Sequence, residues 1–153
     1  MLVLVALVGA AAGCGGGSSK PRLSAKQYRA RLAMITRREE VVRTSVENAL
    51  RNSTTVRQVR NALSRYAANE ERLGDTVDEL RPPKDADKAN DQLAKGAHQL
   101  ADDIRSVVGS LRSVRLRDEA ITILQRRLSN AHGAEEMAAA SVELRRLGYV
   151  REL

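Results

Sequence analysis

Two carboxylates stand where apolar residues are expected. Tyr28, Leu32, Ile35, Val42, Val46 and Ala49 recur at steps of three and four, and Glu39 fills the one vacant slot. A second run holds Val56, Val59, Leu63, Tyr66, Leu73, Val77 and Leu80, with Glu70 in its midst. About a turn at Asn52 to Thr54, the two carboxylates fall at nearly one level. Facing carboxylates can bind a cation, or raise one pKa for proton transfer. A di-metal bundle also needs a Glu-x-x-His pair with its imidazole turned inward. No glutamate here has a histidine three residues on. Glu39 and Glu70 are therefore expected to reach solvent, or to pair with arginines such as Arg38 and Arg65. His98 lies one step past the seam position of Ala97, and Asp102 four residues on makes it an exposed helix pair. His132 falls in a loop expected over Asn130 to Gly133. Haem-type cysteine spacing, a Gly-rich phosphate loop and a Gly-x-Ser-x-Gly elbow are all missing from the sequence. No catalytic residue, metal or cofactor is expected.

The remaining reactive side chain is Cys14. A single cysteine can form neither an intramolecular disulfide nor a cysteine-based metal site. Met1 to Ala12 is an uncharged apolar run, about half the ~20 residues that span a bilayer. An apolar run followed by small residues is the pattern of a secretory signal. Ala11-Ala12-Gly13-Cys14 resembles the lipobox of bacterial lipoproteins, with Ala11 where leucine is usual. The resemblance implies cleavage between Gly13 and Cys14, and acyl chains on the new terminal cysteine. Each buried methylene contributes ~0.8 kcal/mol, and two chains hold stably. Residues 1–13 are then a signal peptide, residues 14–23 an acylated cysteine with a Gly/Ser linker, and residues 24–149 the folded part. The linker spans roughly 16 Å as a flexible chain. The address implied is the outer face of the cytoplasmic membrane.

Charge agrees with that address. The net charge is +7, and arginine supplies most of the cations. Between Lys20 and Arg65 twelve cations face three carboxylates. Lys20, Arg22, Lys26, Arg29 and Arg31 all precede the first acid, Glu39. A polybasic segment beside an anchor gains about 1 kcal/mol per cation near an anionic surface. These five residues are the expected contacts with anionic lipid or anionic wall polymer. Nucleic acid is not an expected partner, because three scattered tyrosines give no stacking platform.

The elements that must carry these residues are helices. With no Phe or Trp, the core must come from Leu, Val, Ile and Ala, which suits helix-on-helix packing. Ser24-x-x-Gln27 is a capping box, and Leu23 before it can staple onto the first turn. The Asn52 to Thr54 turn ends the first helix, and Pro82-Pro83 ends the second. A third helix is expected from about Lys84. Ala86, Leu93, Leu100, Val107, Val114, Ile121 and Leu128 keep one register of seven. An unbroken helix there would measure roughly 68 Å, against ~40 Å for its neighbours. A break near Arg115 to Arg117, with Asp118 capping a fourth helix, is therefore expected. A last helix spans about Ala134 to Leu147, closed by Gly148. In the hairpin about Pro82-Pro83, Tyr66 should lie level with Gly96-Ala97, and Leu63 with Leu100.

Leu23-Ser24-x-x-x-Tyr28, Leu80-x-Pro82-Pro83 and Leu144-x-x-Leu147-Gly148-Tyr149 resemble a broad group of small helical-bundle lipoproteins of high-GC bacteria. The resemblance implies a helical bundle and adds no chemistry. The expected architecture is all-α, an antiparallel bundle of four to five helices behind a signal peptide and flexible linker. The expected role is a non-catalytic envelope module that holds a protein, lipid or wall-polymer partner. Two alternatives stand beside it: a small-ligand or metal carrier with its site inside the bundle near Glu39 and Glu70, and a structural self-associating bundle.

Overall fold

The structure, a computed structural model, describes residues 21–150. The expected signal peptide, Cys14 and Lys20 lie outside the described residues. Five α-helices follow one another: α1 (Ala25–Arg51), α2 (Val56–Asp78), α3 (Asp87–Ser110), α4 (Arg117–Leu128) and α5 (His132–Arg146). No strand occurs among the described residues. A 3₁₀ turn over Lys84–Ala86 leads from the prolines into α3. α2, α3 and α5 pack together as the body of the bundle, and α1 lies along α2.

Local chemistry sets most of the boundaries. Ser24 and Gln27 form the expected capping box at α1. Thr55 and Gln58 form a second one at α2. Gly148 has φ +76°, which favours glycine. Gly148 N–H donates to the Arg145 carbonyl and Tyr149 N–H to that of Leu144, a Schellman close to α5.

Two boundaries differ from expectation. α3 stops at Ser110, whose hydroxyl donates to the Val107 carbonyl, and the fully buried Leu111 turns the chain inward. The break thus runs over Leu111 to Leu116. Asp118 does not cap α4: Leu116 holds the cap position without a side-chain bond, and Asp118 lies in the first turn beside Arg117. α5 starts at His132, two residues early, because Asp103 Oδ2 of α3 accepts the Gly133 N–H at 3.2 Å.

The core forms two clusters along the bundle. One gathers Tyr28, Leu32, Val77, Leu93 and Leu144 at the end where α1 begins. The other gathers Val59, Leu63, Leu100, Ile104 and Leu124 at the far end. Leu63 and Leu100 share this second cluster, and Tyr66 packs against it. Gly96 faces α5, where a Cβ would lie 2.8 Å from the Met137 amide nitrogen. A Cβ on Gly133 would lie 2.6 Å from the Gly96 carbonyl oxygen. The small pair lets α3 and α5 cross with their backbones in contact.

A buried polar chain ties three helices in the first cluster. The Tyr28 hydroxyl of α1 donates to Asn90 Oδ1 of α3 at 3.1 Å. Asn90 Nδ2 donates to the Val77 carbonyl of α2, also at 3.1 Å. Tyr28 and Asn90 are buried, so losing either partner strands the other. Tyr149 meets the Tyr28 ring edge-on at 5.1 Å and donates to Asp85. α1 is much less held further along. Tyr28 and Leu32 are its buried residues, while Met34 and Val41 are 62% and 70% exposed.

Gly133→Ala should cost about 2–3 kcal/mol, because backbone must move to admit the methyl. Gly109→Ala, where a Cβ meets nothing within 4 Å, should instead gain about 0.5–1 kcal/mol from helix propensity. Urea unfolding of both variants checks the contrast. In the polar chain, Asn90→Leu should cost about 2–4 kcal/mol by stranding two groups, and Tyr28→Phe about 1–2 kcal/mol. The double variant should cost less than the two summed, and a double-mutant cycle reads the coupling.

Candidate functional site

Glu70 projects from α2 between Ala67 of one core cluster and Leu73 of the other. It is 2% exposed, and its Oε2 has no hydrogen-bond partner. Burial pushes its pKa up to about 7. The Glu39 carboxylate across the α1–α2 seam adds to the rise, and the Tyr66 hydroxyl opposes it. Glu39 is half-buried and also raised, by desolvation, with Arg38 pulling the other way. The seam therefore does bring the two carboxylates together. It does not turn Glu70 to solvent or pair it with arginine as expected: among the described residues neither glutamate makes an ion pair within 4 Å. The pair can hold one proton between two acids near neutral pH, or accept a cation that displaces it.

Beside Glu39 runs a groove of about 580 Å³ lined from α1, α2, α3 and α5. Leu32, Ile35, Leu73, Leu93 and Leu144 give it apolar walls, and Glu39 and Arg145 give it charged edges.

His98 belongs to a different cluster. It does not pair with Asp102, which binds Arg105 instead. Its Nδ1 lies 3.3 Å from Glu71, and its Nε2 lies 3.2 Å from Asp78 and 4.0 Å from Asp75. The ring lies over Gly74, where a Cβ would come within 2.6 Å of Nε2. Donor atoms of Glu71, Asp75 and His98 lie within 4.8 Å of one another, a spacing that could hold a metal ion. Arg105 already occupies Glu71 Oε2 at 2.8 Å. Expectation missed this cluster because it arises between helices. The signal was present: Glu71, Asp75 and Asp78 recur on one face of α2, with glycine among them. His132 is the first residue of α5 and not in a loop, but it is exposed, near Glu135 and Glu136.

The expected contacts with an anionic surface divide. Lys26, Arg29 and Arg31 are exposed on the first turns of α1. Arg22 is turned into the α2–α3 corner, where it pairs with Asp87 and donates to the Pro82 carbonyl. The salt bridge holds the Asp87 carboxyl below the usual range. No helix among the described residues is long and apolar enough to cross a membrane.

A carboxyl whose folded pKa is raised binds its proton more tightly folded than unfolded, so it destabilises the fold as pH rises. The window lies between the usual carboxyl value and about 7. Glu70→Gln should therefore be more stable than the parent at pH 8, by roughly 2–3 kcal/mol. The difference should vanish by about pH 4. Thermal melts across that range check it, and a gain independent of pH would be the contrary result. No protein-family model, curated protein or solved structure matches the chain.

Proposed function

We propose that the protein is a lipid-anchored, non-catalytic binding module of the cell envelope. Acyl chains on Cys14 hold it at the outer face of the cytoplasmic membrane, and the bundle engages an anionic lipid or wall polymer, or a protein partner. The observation that carries the reading is where the cations sit. Lys26, Arg29 and Arg31 are exposed at the very start of α1, at the end of the bundle where the segment from Cys14 enters. The lipobox-like Ala11 to Cys14 and the Gly/Ser run after it support the same address.

The groove beside Glu39 favours a second reading, a carrier of small ligands with an apolar body and a charged head. Its leucine walls and its Glu39 and Arg145 edges fit such a molecule.

Mass spectrometry of the native N-terminus tests the anchor. The expected N-terminal peptide begins at Cys14 and carries a diacylglyceryl mass. Cys14→Ser should leave residues 1–13 attached and abolish acylation. An intact, unmodified Met1 terminus recovered from the soluble cell fraction would overturn the reading.

A further inference from the structure

We propose that a groove where α1 enters the bundle holds the phosphate headgroup and first methylenes of one anionic phospholipid. The proposal deepens the membrane-anchored reading by naming a ligand and its site. The groove measures about 410 Å³. Leu23, Met34, Ile35 and Leu80 make its surface apolar, and Arg31, Arg38 and Arg81 stand around it. All three arginines are exposed, and among the described residues none makes an ion pair within 4 Å. Glu79 also borders the groove, so the local balance is three cations to one carboxylate.

The arginines come from two places that the fold holds together. Arg31 and Arg38 are seven apart, so they share one face of α1. Arg81 sits in the α2–α3 corner, and its carbonyl accepts the Leu23 N–H at 2.7 Å. That bond fixes the corner against the chain entry. A guanidinium fork matches the oxygens of a phosphodiester, and its planar donors favour phosphate over a bare point charge. Met34, 62% exposed, offers the adjoining apolar surface that a free anion would not need.

Position argues for lipid over other phosphates. Pro21, which also borders the groove, is seven residues on from Cys14. That stretch reaches at most about 25 Å. An acylated Cys14 would keep the groove near the headgroup layer. The groove beside Glu39 is a poorer place for an anion, since it carries a carboxylate and one arginine.

The test is NMR of the full, isotope-labelled chain with dihexanoyl-phosphatidylglycerol below its micelle concentration. Dihexanoyl-phosphatidylcholine and inorganic phosphate are the comparison arms. The glycerol lipid should shift the amides of Leu23, Met34 and Leu80 saturably, and each comparison arm should bind about tenfold more weakly. Arg31→Gln, Arg38→Gln and Arg81→Gln together should cost about tenfold or more in affinity. The charge-matched Arg112→Gln, Arg126→Gln and Arg127→Gln chain, altered at exposed sites elsewhere, should stay within about twofold. Met34→Glu, at an exposed position, should also lose binding. Equal response to the two lipids, equal loss in both triple variants, phosphate alone binding as well, or unmoved groove amides would each overturn the proposal. An unacylated Cys14 would sink the anchor and leave this result untouched.

Discussion

The buried hydrogen bond between Tyr28 and Asn90 organises this bundle. An apolar core of leucine, valine and alanine tolerates sliding, because one methyl contact resembles another. A phenol that must find one amide does not. Asn90 also donates to the Val77 carbonyl, so α1, α2 and α3 meet at one register. The C-terminus joins them through Tyr149, which packs on the Tyr28 ring and donates to Asp85. The polar atoms of the Tyr28–Asn90–Val77 chain each find a partner, which makes burial affordable.

Away from this knot the hold on α1 weakens. Its later apolar positions reach only half-burial against α2, and grooves open on either side of Ile35. At its far end Arg117 of α4 donates to the carbonyls of Ser53 and Leu50, which ties the end of α1 to α4. The helix is thus clamped at both ends by polar bonds and loosely seated between them. Glu39 lies in that loose middle, and its charge disfavours ionisation of the buried Glu70 across the seam.

Features written in contiguous residues were legible in the sequence. The capping box at Ser24, the corner at Pro82-Pro83 and the close at Gly148 each rest on neighbours within six positions. The seam positions of Glu39 and Glu70 were equally plain, since a 3.6-residue period places them. What failed to show was anything decided across helices. Asp103 starts α5 from thirty residues away, and no local pattern marks it. Gly133 read as a loop residue, because its task is to let another backbone approach. His98 read against Asp102 on its own helix, while Gly74 opened a berth for its ring beside three carboxylates of α2. Glu70 read as snorkelling because burial without a counter-ion is costly, and only the packing shows that it is buried with Oε2 unpartnered.

The Leu23–Arg81 bond has a mechanical side. Any pull on the segment before Pro21 reaches the folded part at Leu23, whose amide is bonded to the corner. Arg22, paired with Asp87, shares that load three residues before the helix. Tension therefore passes into α2 and α3 at their joint, without running along the loosely seated length of α1. The chain is thus bonded to the α2–α3 corner before α1 begins, so a tug does not start at a free helix end.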